Sequence, residues 1–110
     1  MSPQAAAWAI LFVAALLEIV WALALKQAEG FSRLWPSVLG STVAMASFAL
    51  LTVALRQLPV GTAYAVWVGI GAVGVAGTGM LFLGESVTPQ RLAFLGLIVI
   101  GVVGLRAVES

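Results

Sequence analysis

The sequence has no cysteine and no histidine, one tyrosine, and only five Lys or Arg and four Glu among its 110 residues. Without cysteine there can be no disulfide and no thiolate metal site. Without histidine there is no imidazole for acid–base work or metal ligation. A net charge of +1 carries no message about nucleic acid. No nucleophile–base pair, metal cluster or phosphate loop stands out, so the chain does not read as an enzyme, and no cofactor is expected. What it does have is apolar residues, 63% of the total, and a mean hydropathy of +1.17. That is the composition of an integral membrane protein.

Four apolar runs of about twenty residues use most of the length. The expected fold is therefore all-α, a single four-helix transmembrane domain over residues 1–110. Helix 1 is predicted over Ala5 to Leu25, helix 2 over Trp35 to Leu55, helix 3 over Val60 to Leu83 and helix 4 over Gln90 to Ala107. Lys26, Glu29 and Gly30 close the first, Arg56 the second and Gly84-Glu85 the third. Trp35 fits the aromatic belt, and Pro36 is tolerated in a first turn. Thr88-Pro89 reads as an N-cap with proline in the first turn. The first run lacks a basic n-region, is too long for a signal peptide and is followed by further spans. Tight connections leave no room for a soluble domain.

One residue breaks the pattern. Glu18 is flanked on both sides by apolar residues through the whole of Ala5 to Leu25. A carboxylate in a bilayer costs several kcal/mol (roughly 3 on insertion scales) unless it is paired, protonated or wetted, so it is a functional-site candidate, with proton or cation handling as its chemistry. A permanently protonated, structural Glu is the bland alternative, although Asn or Gln would serve that end more cheaply. Trp21 lies at i+3 and Ala14 and Ala22 at i−4 and i+4, on the same face. Trp21 is either a pocket wall or an interfacial anchor. On helix 3, Tyr64, Trp67, Gly71, Gly74 and Thr78 form one stripe. Its aromatics suit a cation, or the stripe is plain packing. Gly69 and Gly71 are candidate hinge residues, or mark close approach. Ser47, mid-helix 2, either bonds back to its own helix or orients Glu18.

Charge is almost even across the membrane: Arg56 and Arg106 fall on one side, Lys26, Arg33 and Arg91 on the other. So weak a positive-inside bias points to insertion in both orientations, and to an antiparallel, dual-topology homodimer. Two copies would supply eight helices and two Glu18 side chains to a shared site. Ala93, Gly96, Gly101, Gly104 and Ala107 form a small-residue stripe on helix 4. Gly96, Gly101 and Gly104 are accordingly the candidate dimer interface, with internal packing as the alternative.

The run Glu18-Ile19-Val20-Trp21-Ala22-Leu23-Ala24-Leu25-Lys26, with Gly61-Thr62-Ala63-Tyr64-Ala65-Val66-Trp67, Gly69-Ile70-Gly71, Gly84-Glu85 and Gly96-Leu97-Ile98, resembles the small multidrug resistance family across essentially the whole chain. The resemblance implies that Glu18 binds both substrate and protons, that the subunits form antiparallel homodimers, and that the protein sits in a bacterial plasma (inner) membrane. A tryptophan three positions after the glutamate, here Trp21, is similar to the guanidinium-exporter subtype, whereas exporters of bulky quaternary ammonium drugs carry a small residue there. Ser47 and Trp67 resemble that subtype's hydrogen-bond network around the glutamate. The implied substrate is guanidinium or a small guanidinium-containing cation, exchanged for protons. An exporter of quaternary ammonium or other lipophilic cations, a passive cation channel and a non-transporting membrane scaffold are the rival readings.

Overall fold

In the computed structural model, which describes residues 2–109, the chain forms four helices: α1 Pro3–Gln27, α2 Leu34–Ala54, α3 Val60–Phe82 and α4 Pro89–Glu109. Each is long and apolar enough to cross a bilayer. Their ends follow local chemistry. α1 starts two residues earlier than the apolar pattern indicates, because the Ser2 hydroxyl accepts from the Ala5 N–H at 3.1 Å and Pro3 fits the first turn. Thr88 does the same for α4, accepting from the Arg91 N–H at 3.0 Å. α4 also runs two residues beyond Ala107, since nothing in Val108-Glu109 breaks a helix. α3 ends where Gly84 takes a φ of +71°, a left-handed conformation that glycine adopts without steric cost.

The α1–α2 turn is the most strained stretch. Glu29 and Phe31 adopt φ of +50° and +67° on either side of Gly30, and each non-glycine there costs about 1 kcal/mol. Hydrogen bonds hold the turn: the Ser32 hydroxyl donates to Glu29 O at 2.8 Å, and the Arg33 guanidinium to Gln27 O at 3.3 Å.

α1 is the hub. It packs along α2 and, less extensively, against α3, while α4 lies against α3. Ala7, Leu11, Ala14 and Ala15 make one buried stripe on α1 that meets Leu51 and Ala54 of α2 and Ala63, Val66 and Trp67 of α3. Lipid tails are as apolar as these side chains, so hydrophobicity alone does not drive the association. Close van der Waals approach does, and small residues permit it. At the far end of the α1–α2 seam, a Cβ on Gly40 would stand 2.7 Å from a Leu25 methyl and 3.3 Å from Ala24 Cβ. α4 contributes no buried residue at all. Val102 of its middle stands over Gly69 of α3, and its last turns are tied to the rest of the chain by polar side chains: Arg106 stacks on the Trp8 ring at 4.6 Å, Gln4 donates to Glu109 O, and Thr62 donates to the Glu109 carboxylate.

Candidate functional site

Glu18 lies midway along α1 and is half-buried. Its carboxyl faces α3, where it rests against the bare backbone at Gly71; a Cβ there would overlap Cδ and both carboxyl oxygens. Oε2 is buried and has no hydrogen-bond partner. Among the described residues Arg91 with Glu85, in the α3–α4 turn, forms the ion pair, and Glu18 takes part in none. The span thus holds an acid with one buried oxygen that has no hydrogen-bond partner among the described residues, which is costly in a membrane.

A hydrogen-bonded relay stands next to it. Ser47 of α2 is completely buried. Its hydroxyl donates to the Ala14 carbonyl of α1 at 2.7 Å and accepts from the indole N–H of Trp67, on α3, at 3.0 Å. Three helices are thereby joined through one hydroxyl. Ser47 makes neither a hydrogen bond back within α2 nor one to Glu18 among the described residues. It grips the α1 backbone one turn before Glu18, at the carbonyl that an α-helix pairs with the Glu18 N–H. Ser47 therefore holds the turn that carries the glutamate and leaves the carboxyl free.

The aromatic residues form a continuous line. Trp21 stacks on Phe48 at 6.3 Å and 29°, Phe48 tilts against Trp67 at 5.1 Å, and Trp67 tilts against Tyr64 at 5.6 Å. These distances lie within the range of favourable ring pairs. Trp67 is 4% exposed, whereas Phe48 and Tyr64 on either side of it are 49% and 55% exposed, so one buried ring stands between two open ones. The Trp21 indole nitrogen is buried without a partner, an arrangement that differs from an interfacial anchor, whose N–H reaches headgroups or water. Phe48 escaped the sequence reading. It is an apolar residue in an apolar helix, and its place directly after Ser47 was the sole hint.

The glycines have separate neighbours. α3 runs as one helix through Gly69 and Gly71, with no break at the expected hinge. Gly69 faces α4, where a Cβ would stand 2.6 Å from a Val102 methyl, while Gly74 takes the Ile19 side chain. Gly96, Gly101 and Gly104 of α4 have nothing within 4 Å of a Cβ position, so this stripe is not used for packing within the chain.

One carboxyl resting on a glycine, with the Ser47 hydroxyl already engaged by Ala14 and Trp67, is a poor set for a metal ion, which wants several oxygen or nitrogen ligands. It suits a proton or an organic cation. A family model described as Small Multidrug Resistance protein matches residues 6–98. The chain belongs to the small multidrug resistance family. Similar proteins bear a more specific name. "Guanidinium exporter" of Escherichia coli (strain K12) is 61% identical over 99 residues, 90% of this chain and 94% of that one. Proteins of the same name from Salmonella typhimurium and Citrobacter freundii are 60% and 58% identical over the same span. As a member of this transporter family, the protein is an integral component of the bacterial inner membrane and is not an enzyme.

Proposed function

We propose that the protein exports guanidinium in exchange for protons, with Glu18 binding each in turn. The observation that carries this reading is the unpartnered Glu18 carboxyl inside a membrane span. Similarity to proteins named as guanidinium exporters chooses the cation. Guanidinium is planar and offers parallel N–H donors, which meet the two oxygens of a carboxylate as a fork. The electron-rich faces of Trp21, Trp67 and Tyr64 favour a positive charge nearby. Trp21, one turn from the carboxyl, fills space that a bulky quaternary ammonium ion would need.

A homodimer of oppositely inserted copies completes the site. Within one chain, a hollow of about 380 Å³ between α1, α3 and α4 is lined by Leu16, Ile19, Gly69, Val73, Gly74 and Val102 among others, with no charged or hydroxyl group to receive a cation. Tyr64 opens outward, and Gly96, Gly101 and Gly104 face open space. A second copy laid on these surfaces supplies the missing wall and brings a second Glu18. The two carboxyls then titrate as a pair. Because proton and guanidinium compete for one pair of acids, each can leave only when the other takes its place. Alternating access of the dimer places those exchanges on opposite sides of the membrane.

The deciding experiment is proton movement driven by a guanidinium gradient in liposomes holding purified wild type or Glu18→Gln. The expected result is proton flux in the wild type and none in the variant. Flux with a tetraalkylammonium ion alone would replace the substrate, guanidinium flux with no proton movement would make the protein a passive channel, and no flux of either ion would leave a membrane scaffold.

A further inference from the structure

The five glycines of α3 between Trp67 and Leu83 differ in what stands over them. Gly77 has nothing within 4 Å, Gly69 receives Val102, Gly74 receives Ile19, Gly79 receives the Glu85 carboxyl, and Gly71 receives the carboxyl of Glu18. The contact at Gly71 is with the functional end of that side chain, Cδ, Oε1 and Oε2, rather than its methylene stem. Nothing else fixes the carboxyl. Oε2 has no hydrogen-bond partner, and Ser47 is committed to Ala14 and Trp67. No Asp, Glu, Lys or Arg lies in α2, and α3 carries no charged residue either. The position of the group is therefore set by shape alone.

We infer that Gly71 is the positioning residue of the transport site: the absence of its side chain makes the seat on which the Glu18 carboxyl rests, and so fixes where that carboxyl meets its cation. The inference rests on the proposed role of Glu18 as the cation-binding acid. It assigns Gly71 a static duty, distinct from bending of α3. Adding one methyl group at position 71 pushes the carboxyl off its seat. The side chain then turns about its own bonds, with some loss of rotamer preference. A fork of two N–H···O bonds tolerates little displacement, because both bonds must keep their angle at once.

The test is a size-compensation cycle. Glu18→Asp withdraws the carboxyl by one methylene and vacates the space that an alanine at 71 would fill. Guanidinium binding by calorimetry is measured on the full chain in lipid nanodiscs for wild type, Gly71→Ala, Glu18→Asp, the double variant and Gly77→Ala. Gly71→Ala should weaken binding by about tenfold or more and Gly77→Ala by less than about twofold, while the double variant should bind several-fold better than the product of the single losses requires. Multiplying losses, or a Gly71→Ala protein within about twofold of wild type, would overturn the seat. A hinge or a general packing defect predicts no rescue by Glu18→Asp.

A second readout is independent of substrate. All four acidic residues are glutamates, so carboxyl-labelled protein gives signals for Glu18, Glu29, Glu85 and Glu109. Gly71→Ala should move the Glu18 resonance and leave the other three, and an unmoved Glu18 signal overturns the inference. If wild type binds no guanidinium, the proposed function falls while this spectrum still decides the seat. If Gly71→Ala fails to fold, recovery on adding Glu18→Asp supports the seat. Failure of the double variant beside a folded Glu18→Asp counts against it.

Discussion

The α1–α3 seam and the outer face of α4 are built from the same material, glycine and aliphatic residues, and differ in whether the chain itself uses it. Along the seam, Gly71 and Gly74 are filled by Glu18 and Ile19, and Ser47 ties three helices together with two hydrogen bonds. On α4, Gly96, Gly101 and Gly104 face open space and no residue of the helix is buried. Glycine weakens a helix by about 1 kcal/mol relative to alanine, a cost that is offset at the seam by close packing and is not offset on α4 within one chain. The glycines of the seam are packed within the protomer. The homodimer proposed above would cover the α4 face.

The strongest way to break this comparison is to fill the α4 stripe. Leucine at both Gly101 and Gly104 should leave the protomer folded, because nothing of its own chain stands within 4 Å of either position, and should abolish the dimer. Exchange in liposomes would then fall to the level of Glu18→Gln. Crosslinking in nanodiscs that still recovers a dimer, together with normal exchange, would show that α4 is not the assembly surface. Alanine at Gly74, by contrast, presses on Ile19 and should damage the protomer itself.

The middle-sized effect tests the hydrogen bonds of the seam. Ser47→Ala removes the donor to Ala14 and leaves the Trp67 indole N–H buried without an acceptor. Hydrogen bonds within membrane helices average only about 0.6 kcal/mol, but an orphaned buried donor adds its own penalty, so a loss of about 1–2 kcal/mol is expected. Because the hydroxyl grips the turn before Glu18, guanidinium affinity should fall as well. Unfolding in mixed detergent and binding by calorimetry check the two parts. Lost affinity at unchanged stability would mean that Ser47 acts on the ligand directly.

How far the sequence discloses this architecture depends on whether a residue's duty lies within its own helix. The four spans are legible because apolarity and length are local properties, and their ends shift by no more than two residues where Ser2 caps α1 and Val108-Glu109 extend α4. Glu18 is legible because a charge in an apolar run has no camouflage. Ser47 is half-legible: its position in mid-span marks it, but the choice between its own helix, Glu18 and Ala14 depends on how α2 turns toward α1. Phe48 was hidden, since stacking on Trp21 is settled by helix rotation and not by spacing along α2. The glycines of α3 showed the same limit. Their number is visible in the chain, whereas the assignment of Gly69 to α4, Gly71 to the carboxyl and Gly77 to nothing exists only once three helices are docked.

The smallest expected effect lies where the two regions meet. Arg106 covers the Trp8 ring at 4.6 Å, and with the contacts of Glu109 to Gln4 and Thr62 it anchors the last turn of α4 to α1 and α3. Trp8 also packs in the core cluster with Ala7 and Leu11, contacts that hold the ring without the cation. Removing the guanidinium therefore forfeits the cation–ring attraction alone, about 0.5–1 kcal/mol for a partly exposed pair. Arg106→Ala should lower unfolding resistance by that amount, with Arg106→Lys falling between the two. The charge also belongs to the smaller set, Arg56 and Arg106, on the terminal side of the membrane. Its loss tilts an almost even balance toward Lys26, Arg33 and Arg91, so a tag at the C-terminus should become unequally distributed between the two membrane faces. If exchange falls in step with that inequality while stability barely changes, it is the supply of oppositely inserted partners that the arginine maintains. If the tag stays evenly divided, insertion is governed by something other than this charge balance, and the link from even loops to an antiparallel pair is cut.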